Sequence, residues 1–209
     1  MMRNSSNQVK LLIWASSKAE PNTIAVHEWG HVEICVHGQS YGFGPDRRLG
    51  PPEDAIARTG CQGILLSRPF APLVLWHVDR VLALHEDEAL YDPKRHNKLP
   101  VVWSFAFDAS EQQIERLVHF LDSKVKQPPL YAALARKKRN TFNCQTLSLE
   151  ALREVGIFAE PTLTSVYPDG LLNLLKQSHG LYPGLKTVEK LQLSPPQFLV
   201  RDKGFCKMS

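Results

Sequence analysis

The sequence predicts an α+β fold in which an antiparallel sheet packs against a helix that opens with a cysteine, and three stretches carry that expectation. His31 to His37 (HVEICVH) is rich in β-branched residues with apolar side chains at alternate positions, and after Gly38-Gln39 the chain continues with Tyr41 and Phe43, the pattern of a hairpin. From Ser110 the apolar residues Ile114, Leu117, Val118, Leu121 and Val125 recur at helical spacing. A second helical run starts at Cys144 and carries Leu147, Leu152 and Val155.

Taken in order, 9 to 15 (VKLLIWA) reads as a first strand, and Glu20 to Thr23 supplies the turn chemistry that separates it from the hairpin. Gly44-Pro45 ends the hairpin, and 46 to 63, with Gly50, Pro51, Pro52, Gly60 and Gly63, reads as a loop holding a short helix from Pro52 to Arg58. Strand patterns resume near Ile64, Val74 and Val101. Ser110 with Gln113 three residues on forms a capping box, and Pro128-Pro129 stops that helix. Asn143 is a natural N-cap for the next helix and Gly156 its C-terminal cap. A short helix from Gly170 to Gln177 and several Pro-marked turns complete the chain, and this tail is expected to pack on the core.

The 209 residues, 43% of them hydrophobic, suffice for one buried core and read as a single domain, 1-209. Apolar runs such as Leu11 to Ala15 and Leu73 to Trp76 fall far short of the roughly 20 residues that cross a bilayer, so no transmembrane segment is expected. Arg3 and Lys10 precede too short an apolar patch for a secretory signal, which needs roughly 7 to 15 apolar residues, so synthesis in the cytoplasm without a signal peptide is expected. Four cysteines, Cys35, Cys61, Cys144 and Cys206, lie scattered without a C-x-x-C pair, which argues against a zinc ribbon or a thioredoxin-like motif. The net charge of +4 is modest, and its densest run, Arg136 to Arg139, lacks the interleaved aromatics that stack on bases, so no nucleic-acid partner is expected. A basic surface suits an anionic polymer or a membrane surface.

Cys144 stands out by position. A thiol in the first turn of a helix faces unpaired backbone N–H groups and the positive end of the helix dipole, which favours the thiolate, and the same N–H groups can hold an oxyanion. Acyl transfer by such a thiol needs a base within hydrogen-bond reach and no cofactor, and a histidine on a strand beside the helix answers that need. The plainer reading of Cys144 is a small buried residue at a helix start. Cys35 alternates inside a strand, Cys61 lies in a glycine-flanked loop and Cys206 in the tail, so packing or exposure explains them. His77, His85, His96, His119 and His179 show no ligand spacing.

Two regions resemble a known family. GHVEICVHGQSYGFGPD is similar to the strand-turn-strand of permuted NlpC-like and lecithin-retinol-acyltransferase-like cysteine hydrolases, in which a histidine begins a strand and an aromatic-glycine strand follows. SFAFDASEQQIERLVHFLDSKVKQPPLY and RNTFNCQTLSLEALREVGI resemble that family's strand, helix, Pro-Tyr turn and cysteine-bearing helix ending in Gly-Ile, and the resemblance covers about 65 of the 209 residues. It implies a papain-like fold in circularly permuted order, His31 as base, Cys144 as nucleophile and no metal. It implies as substrate either an amide bond of peptidoglycan peptides or a lipid acyl group. Bacterial type VI secretion effectors belong to this broad class, which implies an immunity protein and the secretion apparatus as partners and a target-cell periplasm as destination.

The orienting third residue stays open between two carboxylates. A two-residue Gly38-Gln39 turn sets His37 against Ser40 and, counting outward, His31 against Asp46, whose carboxylate would orient the imidazole. Where the family has a polar residue a little nearer the turn, this sequence has Phe43. Glu33 is the alternative, on the same strand face as His31. Trp29, beside the proposed base, either walls a substrate groove or packs in the core.

Two further readings compete. His27-Glu28-Trp29-Gly30-His31 matches the HExxH signature of zinc proteases, with His37 at the third-ligand position of a metzincin. That chemistry requires a helix, whereas the flanks TIAV and VEICV favour strand, Ile34 stands where the turn glycine belongs, and no methionine lies mid-chain for a Met-turn. The other is a non-catalytic interaction module on the same scaffold, which a separated or sealed cysteine and histidine would favour.

Overall fold

Val9, Leu11 and Ile13 alternate along β1 (Gln8–Trp14), and their burial sets one face of a central strand against the helices. The computed structural model describes residues 7–16, 19, 30–69, 101–135, 140–158, 167–177 and 184–192, with backbone alone at 68, 69 and 192. The turn expected at 20–23, Trp29 with His27 and Glu28, the strand expected near Val74, the basic run 136–139 and Cys206 lie outside the described residues.

Among the described residues eight strands form one sheet. After β1 come β2 (His31–Val36), β3 (Gln39–Pro45), β4 (Cys61–Pro69), β5 (Val101–Asp108), β6 (Leu130–Tyr131), β7 (Thr141–Phe142) and β8 (Leu185–Gln192), in the spatial order β7-β6-β4-β3-β2-β1-β5-β8. With α1 (Glu111–Lys126), α2 (Cys144–Glu154) and α3 (Pro168–Gln177), they make an α+β protein, as expected. The sheet is mixed, because β6 and β7 run parallel while the other neighbouring pairs are antiparallel. The loop between β3 and β4 holds a 3-10 turn, Arg47–Leu49, and, where a short helix was expected, a single π turn, Ala55–Thr59.

The hairpin turn is a correction with consequences. His37 and Gly38, not Gly38 and Gln39, are its two central residues, with φ of 48° and 71°. Positive φ at both positions suits the right-handed twist of the flanking strands, and histidine is among the side chains that tolerate it. Val36 therefore pairs with Gln39, Cys35 with Ser40, Ile34 with Tyr41 and Glu33 with Gly42, two residues earlier along β3 than a Gly38-Gln39 turn would set.

Helix ends follow local chemistry. Ser110 and Gln113 make the reciprocal capping box of α1, and Asn143 and Thr146 make that of α2. Ile114, Leu117 and Leu121 of α1, Leu147, Ala151 and Leu152 of α2, and Leu171, Leu172 and Leu175 of α3 bury against Leu11, Ile13, Ile34, Val36, Phe105 and Phe107 of the sheet. Truncating one such leucine to alanine costs about 2–5 kcal/mol. The stripe on α1 stops at Leu121, and Val125 is exposed. Gln113 Nε2 donates to the Val155 carbonyl (2.9 Å) and Arg116 to that of Glu154 (2.7 Å), so α1 holds the C-terminal end of α2. No helix among the described residues is long and apolar enough to cross a membrane.

Candidate active site

The start of α2 is anchored from the sheet. β7 ends at Phe142, whose carbonyl accepts from the Ala132 N–H (2.9 Å), and the Asn143 side-chain amide donates to the Ala133 carbonyl (3.0 Å) while its oxygen caps Thr146 N–H (2.8 Å). Cys144 therefore begins the helix at a fixed place, and α2 lies on β2 and β3.

At β2 the ladder to β3 ends with Glu33 and Gly42, while β3 stays paired to β4 as far as Pro45 and Gly63. Beyond that point the Val32 backbone hydrogen-bonds the Cys144 sulfur, as does the backbone of Gln145 in the first turn of α2, and the His31 side chain hydrogen-bonds the same sulfur. The two residues singled out from the sequence as base and nucleophile thus meet. Both are almost wholly covered, His31 at 5% and Cys144 at 7% exposure.

Burial alone would push the Cys144 thiol up. His31, by charge and by hydrogen bond, and the backbone of Val32 and Gln145 outweigh it and hold the thiol below the ordinary 9.0. The helix start thus brings backbone donors to the sulfur, where an oxyanion would form.

Glu33 completes the site. Its Oε1 lies 3.2 Å from His31 Nε2, and its Oε2 accepts from the Ser40 hydroxyl at 2.7 Å. With Nε2 on the carboxylate, the other ring nitrogen is left for the sulfur. Asp46 does not take this place. It caps the Arg47–Leu49 turn, and the Arg48 guanidinium holds it through Nε to Oδ1 (2.8 Å) and a terminal nitrogen to Oδ2 (2.7 Å). Hydrogen bonding to Arg48 depresses its carboxyl below the usual range. The expected pairing of His31 with Asp46 fails because the turn lies one residue earlier than counted and the ladder to β3 ends at Glu33 and Gly42, before His31.

Sequence reasoning missed Ser40 and Gly42, which need the correct register to be seen beside Glu33; the signal was a small polar residue and a glycine flanking Tyr41. Of the HExxH motif, His31 opens a strand and not a helix turn, while His27 and Glu28 lie outside the described residues. Among the described residues no group of three or more His, Cys, Asp or Glu side chains is arranged to hold a metal ion. No family model, no curated protein and no solved structure matches the chain.

Proposed function

We propose that this protein is a cysteine hydrolase of the permuted papain-like kind that cleaves an amide bond in peptidoglycan peptides, acting as an exported antibacterial effector. The observation that carries the reading is one constellation: a thiol opening α2, hydrogen-bonded to His31, whose far nitrogen faces Glu33. The order of the parts, histidine on an early strand and cysteine on a later helix, supports the permuted arrangement. The substrate and the effector role rest on the resemblance of the two sequence regions.

In the reaction the Cys144 thiolate attacks the amide carbonyl carbon, forming a C–S bond while the carbonyl π electrons move to oxygen. The Gln145 backbone N–H, which lies on the sulfur in the resting site, is placed to turn to that oxyanion. Collapse breaks the C–N bond, and the imidazolium of His31 protonates the leaving amine. His31 then takes a proton from water, which attacks the thioester, releasing the carboxylic acid and the thiolate. Glu33 keeps the ring oriented throughout.

The test is parallel digestion of purified peptidoglycan and of phospholipid vesicles by the wild type and Cys144→Ala. The expected product is a muropeptide with a new amine and a new carboxyl end, made by the wild type alone. Fatty acid release instead would move the function to lipid acyl hydrolysis. Product made equally by Cys144→Ala and abolished by a chelator would replace the cysteine mechanism. A second reading, a non-catalytic interaction module, draws on the near-complete burial of His31 and Cys144; failure of either substrate to react, with Cys144 unreactive to small alkylating reagents, would favour it.

A further inference from the structure

The strand next to that of His31 carries two residues whose chemistry points at the base and not at the core. Ser40 donates its hydroxyl proton to Glu33 Oε2 at 2.7 Å. Gly42 lies opposite Glu33, and a Cβ added to it would come within 2.9 Å of Glu33 Oε1, 3.3 Å of Glu33 Cδ and 3.4 Å of His31 Nε2. No φ in the left-handed range requires glycine at 42, so the absent side chain is needed for space alone. The carboxylate is only 1% exposed, so water does little to hold it, and its place is set by what touches it.

We infer that Ser40 and Gly42 are positioning residues for the His31–Cys144 pair: the Ser40 hydroxyl fixes the Glu33 carboxylate from one side, and the vacancy at Gly42 is the space in which carboxylate and imidazole meet. The inference rests on the cysteine-hydrolase reading of the site. The hydroxyl and the glycine act through Glu33. Cys35 on the same strand feels the charge of Glu33, and Lys10, its partner across β1, acts on the same thiol with the opposite sign.

A methyl group at 42 displaces the carboxylate from Nε2, and loss of the Ser40 hydroxyl removes its second anchor. Either change withdraws the fixed anion that favours the imidazolium, and the imidazolium in turn favours the thiolate. The test is the pH profile of Cys144 alkylation by iodoacetamide, read by mass mapping in the full-length chain, for wild type, Ser40→Ala, Ser40→Thr and Gly42→Ala. Gly184→Ala serves as the control, because a Cβ there meets Asp108 O at an ordinary 3.7 Å far from the site. At about pH 6 we expect Ser40→Ala and Gly42→Ala to label about threefold to tenfold more slowly than wild type, with the profile moved to higher pH, while Ser40→Thr and Gly184→Ala follow the wild type. A mere packing defect would lower stability without moving the profile. Should Gly42→Ala not fold, the two Ser40 variants decide the matter alone. Profiles that superimpose on wild type, or a Ser40→Thr as slow as Ser40→Ala, overturn the inference and leave the hydrolase reading standing. A wild-type Cys144 that labels no faster than Cys61 overturns both. Shifted profiles without any peptidoglycan product support the positioning role and remove only the proposed substrate.

Discussion

Two buried thiols, Cys35 and Cys144, meet opposite fates around the same strand. Cys35 points from β2 into a covered face, and burial pushes its thiol up to about 11, with Lys10 pulling it down and Glu33 adding to the rise. Cys144 is also buried, yet its thiol lies below the ordinary 9.0, because an imidazole and two backbone groups bond the sulfur. Burial therefore neither activates nor silences a thiol by itself. What differs is whether donors and a cation converge on the sulfur, and a helix start facing a strand end supplies them where a strand interior has already spent its backbone groups on the ladder.

The comparison breaks most visibly at its cation. If His31 is the base of the proposed hydrolysis, His31→Ala should cut that activity by about 10³-fold, and the double variant with Cys144→Ala should be no worse than Cys144→Ala alone. Additive losses in the steady-state rate would mean that the two side chains do not work as one unit. Near neutral pH the wild type should alkylate at Cys144 faster than at Cys35 by about 10²-fold or more. A depressed thiol keeps thiolate as pH falls below 9.0, whereas a thiol pushed up to about 11 gains it only as pH climbs toward that value. Comparable labelling of the two, by mass mapping between neutral and alkaline pH, would dissolve the contrast.

Two carboxylates sharpen it further. Glu33→Gln should slow hydrolysis about tenfold and move the Cys144 labelling profile to higher pH, while Asp46→Ala stays within about twofold of wild type, since Arg48 and not His31 holds it. The reverse order would restore the pairing expected from the sequence. The smallest effect belongs to the helix that presents the sulfur: Asn143→Ala, which loses the cap to Thr146 and the bond to Ala133, should lower unfolding stability by about 1 kcal/mol in thermal or denaturant melts. A neutral result would mean that β7 alone anchors the start of α2.

Much of the site was legible because its two principal residues announce themselves locally. Cys144 follows an Asn cap and precedes an apolar helical run, and His31 opens a β-branched strand, so both could be named without knowing any contact. The orienter could not. Asp46 and Glu33 are equally good carboxylates as letters, and choosing between them needed the hairpin register, which a one-residue error at the turn displaces by two along β3. The edge strand β8 was read as tail because Lys186, Glu189 and Lys190 break its apolar pattern, as charged residues on a sheet edge do. The parallel pair β6 and β7, two residues each, carries no periodicity to read.

By itself the sequence determined the helices and their ends, since Ser110 with Gln113 and Asn143 with Thr146 satisfy backbone groups within four residues, and it determined the strand character of HVEICV, where β-branched side chains fit a pleated and covered surface. Only the tertiary structure decided which groups those elements bring together. The left-handed backbone at His37 and Gly38 sets the register, and β3 parts from β2 after Gly42 while remaining on β4. The Val32 backbone is thereby left to meet Cys144, and Glu33, with Ser40 and Gly42 beside it, lies against His31. The physical reason is range: a cap closes over a few bonds of the same chain, whereas Cys144 meets His31 across more than a hundred residues, and the partner of His31 depends on where a single hairpin turn falls.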